Sequence, residues 1–81
     1  MAKIIKPKTD LEYHIVNLVK ERRIKLERTQ EDVAKELNVT RGYIGQIEMQ
    51  KYPSMYTYDQ LSKLAEYLGC SMRDFIPTNT M

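Results

Sequence analysis

The most constraining stretch of the chain is residues 29–48, TQEDVAKELNVTRGYIGQIE. Thr29 is an N-cap candidate with Asp32 three residues later, and Val33, Ala34 and Leu37 then share one helical face. Asn38 tolerates the left-handed conformation that ends helices. Val39 is a lone apolar residue between polar neighbours, Thr40 is the next N-cap candidate, and Ile44 and Ile47 turn inward from the segment that follows. This spacing predicts a helix of about eight residues, a connection of about three and a second helix of about eight. Helices so short, joined so tightly, cannot lie antiparallel and must cross at a steep angle. Ala34 would permit the close approach, Val39 would plug the corner, and Ile44 and Ile47 would anchor the second helix to the rest of the domain.

The flanking sequence supplies that domain. Thr9 to Glu12 fits a capping box, followed by Leu11, Ile15, Leu18, Val19 and Leu26 at helical spacing. Arg22, Arg23, Lys25 and Arg28 fall in its last turns, where cations complement the helix dipole. Residues 49–56 contain Pro53 and Ser54 and read as loop. Thr57 to Gln60 is a second capping-box pattern, with Leu61, Leu64, Ala65 and Leu68 as an inner stripe and Gly69 as a stop. Ser71 to Asp74 starts a short last helix that ends with Phe75 and Ile76 before Pro77. Strand-like alternation is nearly absent, so the predicted fold is all-α with five helices over residues 9–77. Residues 1–8, with Lys3, Lys6, Lys8 and Pro7, read as a basic flexible arm, and 78–81 as a frayed tail. Eighty-one residues leave no room for a second folded unit or a separate ligand-sensing domain.

Composition narrows the function. Apolar residues are 42% and charged residues 30%, as in a soluble globular chain. The net charge of +2 is too small to argue for nucleic acid by itself. Its distribution is uneven: residues 1–41 hold ten Lys/Arg and seven Asp/Glu, and residues 42–81 hold three and four. The soft metal ligands are His14 and Cys70 alone, far apart in sequence, so no metal site is expected. No stretch approaches the ~18 apolar residues of a membrane span, and MAKIIKPK is not a secretory signal. One unpaired cysteine and no export signal point to the cytosol. No Gly-rich phosphate loop or nucleophile triad is visible, so neither an enzyme nor a cofactor is expected.

The outer face of the third helix, about residues 40–48, carries the functional signal. Arg41, Gly42, Gly45 and Gln46 are placed there, and each glycine costs about 1 kcal/mol relative to Ala. An exposed helix whose backbone must lie close to a groove has reason to accept that cost. Arg41 and Gln46 have the donor and acceptor chemistry for base edges, Arg for guanine and Gln for adenine. Without a motif around them, the same residues would read as ordinary solvated surface.

That motif is present. ERR at 21–23, TQEDVAKELNV at 29–39, T-x-x-x-I-x-x-I-E at 40–48 and LSKLAEYLGCSMRDFI at 61–76 stand in order at the spacing of a known family. Over roughly residues 15–77 the chain resembles the Cro/CI-type helix-turn-helix regulators of the Xre superfamily. The resemblance implies a lambda-repressor-like fold and a sequence-specific, double-stranded DNA-binding transcriptional regulator, a repressor more than an activator. It implies that Gln30 touches a phosphate and that Thr40, Arg41, Gly42 and Tyr43 reach backbone and bases. Gln46 would read a base one turn further on, and Lys51 and Tyr52 would meet phosphates. Glu48 would pair with Arg22 or Arg23. Two departures stand out: Gln50 occupies a position where relatives usually have Gly, and the loop after it is about one residue longer and rich in tyrosine. A homodimer on a pseudo-palindromic operator is the expected assembly. Two other readings use the same residues: the antitoxin of a toxin–antitoxin pair, with the loop facing a toxin partner, and a phage-type excision factor.

Overall fold

The computed structural model describes residues 6–77. Within them the chain forms α1 (Asp10–Lys25), α2 (Gln30–Leu37), α3 (Arg41–Ile47) and α4 (Tyr58–Tyr67), then a single 3₁₀ turn, Met72–Phe75. The fold is all-helical, as predicted, and the fifth element is this 3₁₀ turn. Its brevity has a local cause. Ser71 caps it with Asp74, and Pro77 forces the preceding Ile76 into extended backbone, φ −100° and ψ 119°.

Each element starts where its hydroxyl residue stands. Thr9 with Glu12, Thr29 with Asp32 and Thr57 with Gln60 all close reciprocal capping boxes. Thr40 caps α3 by accepting from the Tyr43 N–H at 3.1 Å. The helix ends are equally local. Glu27, Asn38 and Gly69 have φ of 58°, 58° and 70°. In each case the next residue's N–H donates back five residues: Arg28 to Arg23, Val39 to Ala34 and Cys70 to Ala65. Asn38 and Gly69 are legible as stops, whereas Glu27 is a side chain that rarely adopts this conformation.

The core joins Val16 and Val19 of α1 to Val33, Ala34 and Leu37 of α2 and Ile44 and Ile47 of α3. Tyr56, Leu61, Leu64, Ala65, Leu68 and Phe75 complete it. α2 packs on α3 and α4, and the closing turn packs on α1 and α4. The inner face of α1 differs from the predicted one. Its buried stripe is Val16, Val19 and Arg23, while Leu11 is 60% and Leu26 42% exposed. Leu26 lies past the helix end, and the stripe runs through an arginine whose charge is neutralised internally. An apolar pattern alone cannot show that. The N-terminal arm also departs from expectation at its last residue, because Lys8 is 2% exposed and packed into the domain. Lys3 lies outside the described residues, as do 78–81.

Glu27→Gly should raise stability by roughly 1 kcal/mol or less, since glycine relieves the left-handed strain but gives back chain entropy. Urea denaturation of both proteins measures the difference.

Candidate nucleic-acid interface

The geometry around α3 is set by a polar cluster at its C-terminal end. Glu48, buried at 6% exposure, receives two hydrogen bonds from Arg23 of α1: Nε to Oε2 and Nη2 to Oε1, both 3.0 Å. Gln30 of α2 donates its Nε2 to the same Oε1 at 2.9 Å. Arg23 also donates Nη1 to the Arg28 carbonyl at 2.8 Å, which ties the turn before α2 into the cluster. One carboxylate thus holds three helices in register. The expected partner choice resolves to Arg23. Arg22 instead donates to the Leu68 and Gly69 carbonyls at 3.1 and 3.0 Å, satisfying the end of α4.

With α3 so fixed, its outer face is open. Arg41, Gly42 and Gln46 are exposed and Tyr43 is half-buried against the core. A Cβ on Gly42 would meet nothing within 4 Å, so neither packing nor backbone within the domain requires glycine there. Gly45 is turned further inward than predicted, with a Cβ position 3.9 Å from Gln30 Oε1. The domain thus leaves a small residue in open space on the exposed face of α3.

The predicted phosphate-contacting residues fall into two groups. Gln30 lines one open groove of about 580 Å³ with the base-reading candidate Arg41 and with Arg23, Arg28 and Thr29. Thr40 caps the start of α3 beside Arg41. Lys51 and Tyr52 sit at the opposite end of α3, the exposed Lys51 ammonium lying 5.3 Å from the centre of the half-buried Tyr52 ring. Glu48 engages one N–H of the Gln30 amide, which leaves the second amide N–H and the first-turn main-chain N–H. Gln50, the departure from the family pattern, bridges to α1 by donating its Nε2 to Asp10 Oδ1 at 3.2 Å. Among the described residues there is no His, Cys, Asp and Glu cluster suited to a metal ion. No helix there is long and apolar enough to cross a membrane.

A family model described as helix-turn-helix, HTH_3, matches residues 19–75, more than half of the chain. The chain belongs to this Cro/CI-type helix-turn-helix family. Among solved structures it is similar to the hypothetical transcription factor NHTF from Neisseria, at 17% identity and TM-score 0.70 over 95% of this chain and 86% of that one. It is similar to the clp gene regulator ClgR from C. glutamicum, at 20% identity and TM-score 0.69, covering 85% and 86%. It also matches hydroxypropylphosphonic acid epoxidase from S. wedmorenis at 24% identity and TM-score 0.70, where it covers 83% of itself but spans only 35% of that longer chain. At these identities the likeness is one of fold. No curated protein matches the chain.

Within this helix-turn-helix domain, sequence reasoning missed three contributors to the α3 face. Arg28 lines the Arg41 groove, with its guanidinium 5.5 Å from the Tyr67 ring. Ser54 donates its Oγ to Gln46 Oε1 at 3.4 Å. Lys8 bonds to the C-terminal end of α3. Arg28 was visible as part of a basic run, while the other two carry no local signal.

The cluster makes two predictions. Arg23→Ala leaves Glu48 buried without its cation and should destabilise the domain by about 3–5 kcal/mol, read by thermal melting with calorimetry. Tyr56 is the reverse case. Its hydroxyl is buried and has no hydrogen-bond partner among the described residues. Burial, with Glu48 adding to it, holds this phenol well above the ordinary tyrosine pKa. Tyr56→Phe should be neutral or stabilising, by up to about 1 kcal/mol, because an unsatisfied polar group is removed. A large loss of stability would show that the hydroxyl is satisfied in solution.

Proposed function

We propose that the domain binds duplex DNA sequence-specifically and regulates transcription, as a repressor, with α3 in the major groove. Arg41, Gly42, Tyr43 and Gln46 face base edges, and Gln30, Thr40, Lys51 and Tyr52 hold the backbone. The observation that carries this reading is the open face of α3. Arg41, Gly42 and Gln46 are exposed together on a helix whose other side is locked by buried Ile44 and Ile47 and by Glu48. A rigid element presenting bidentate donors and acceptors is what direct base readout needs.

A single module of this kind buries ~600–1,000 Å² against DNA. A homodimer on a pseudo-palindrome would supply the remaining affinity, with half-sites about 34 Å apart. The surface proposed for the second copy is the groove between α1 and α4, lined by Leu11, Ile15, Met55, Tyr58, Leu61 and Ile76. Leu11 and Tyr58 there are 60% and 80% exposed. The same apolar surface favours a second reading, an antitoxin whose groove accepts a toxin protein. Sedimentation equilibrium separates the two: a dimer lost in Tyr58→Glu supports self-association, and a monomer at all concentrations contradicts it.

Arg41→Ala or Gln46→Ala should relax base preference by about 1–3 kcal/mol at one position of the site, while Lys51→Ala should weaken binding to all sequences alike. Titration of each variant against a preferred and a random duplex measures both effects. Equal losses on the two duplexes for all three variants would remove the assignment of α3 as the reading helix.

A further inference from the structure

Lys8 sits beside Pro7 in a basic segment, yet it is 2% exposed. Its Nζ donates to the main-chain carbonyls of Gln46 at 3.3 Å, Met49 at 2.7 Å and Tyr52 at 2.6 Å. An ammonium has three N–H donors, so none is left for a phosphate. The Lys8 main-chain N–H donates to the Gln50 carbonyl at 2.9 Å, fixing the approach of the segment as well. Burial draws this ammonium below the ordinary lysine pKa, with Glu12 opposing the shift. The carbonyls compensate the buried charge, and the ammonium adds a second donor to the Gln46 and Met49 carbonyls, which already accept from the Met49 and Tyr52 N–H groups at 3.1 and 3.3 Å.

These contacts converge on Gln46. Its carbonyl is held by Lys8, and its side-chain Oε1 accepts from Ser54 Oγ. The main chain and the amide of this exposed residue therefore each have a partner outside α3. The Lys8 ammonium also fixes both sides of Lys51, through Met49 and Tyr52.

We infer that Lys8 is a positioning residue for readout by Gln46 and not a DNA contact: its ammonium pins the exit of α3 and the loop bearing Lys51, while Ser54 presets the Gln46 amide. The inference rests on the DNA-binding reading. Its physical basis is that a bidentate contact must be held to about 0.5 Å, which a short helix with a loose end does not provide.

Salt dependence distinguishes positioning from contact. Each phosphate neutralised by a lysine contributes about 0.9 to the slope of log K against log salt. The test measures wild type, Lys8→Met, Ser54→Ala and Lys51→Ala on a selected and a random duplex over a salt series, with a thermal melt of each protein. Lys8→Met should lower the specific-to-random affinity ratio by about tenfold and leave the salt slope on random duplex unchanged. Lys51→Ala should reduce that slope. Ser54→Ala should melt as wild type and lose discrimination only at the base that Gln46→Ala relaxes. A Lys8→Met protein that keeps its ratio, or that loses one phosphate's worth of slope, overturns the inference. If Lys8→Met melts below the assay temperature, Ser54→Ala decides, and unaltered discrimination at that base overturns the presetting of Gln46. Wild-type protein with no preference among duplexes would overturn the DNA-binding reading on which the inference stands.

Discussion

Arg23 and Glu48 bring opposite charges into a core otherwise made largely of Val, Ile and Leu, and the placement of three helices depends on how they are satisfied. The guanidinium meets the carboxylate through two parallel hydrogen bonds, the geometry in which this pairing is strongest. Desolvating both ions is expensive, and such a pair is tolerated only when its remaining donors and acceptors are used. Here further groups are engaged: Gln30 supplies another donor to Glu48, and the Arg28 carbonyl takes another donor of Arg23. The hydrophobic residues would accept small shifts of α3 along α2. The polar network does not, because each displaced bond strands a buried charge.

The Arg23–Glu48 pair also explains why so much polarity surrounds a helix of only seven residues. A helix this short is marginal by itself and takes its order from what surrounds it. At its start Thr40 caps it; on its inner side Ile44 and Ile47 are fully buried; at its end Glu48 and Lys8 take up the chain. The outer side then needs no stabilising contacts of its own. It is free to carry Gly42 in open space, which helix propensity alone would disfavour.

How much of this was legible in sequence follows the distance over which each interaction acts. Capping boxes at Thr9, Thr29 and Thr57 and the stops at Asn38 and Gly69 are encoded within a few residues and read directly. The stripes of α2, α3 and α4 read directly too, because they are wholly apolar. α1 misleads because its stripe passes through Arg23, whose partner lies 25 residues away. Glu27 misleads because its left-handed backbone is imposed by the turn into α2 and not by its own preference. At the candidate site, the positions of Arg41, Gly42 and Gln46 on an exposed face were legible from spacing. The inward turn of Gly45, the engagement of Gln30 by Glu48 and the burial of Lys8 were not. The Lys8 contacts span 38 to 44 residues, and a lysine beside a proline in a basic segment gives no local sign of them.

The modest charge of +2 fits this arrangement. Affinity for duplex DNA in general grows with the number of phosphates neutralised, and in this chain two of the cations near α3, Arg23 and Lys8, are spent internally. On the proposed reading, recognition is left to a few rigidly held side chains. Binding-site selection from random duplex DNA tests that claim most directly. The predicted result is an enriched motif with two related half-sites about one helical turn apart. Recovery of no motif, with binding that tracks only salt, would contradict it.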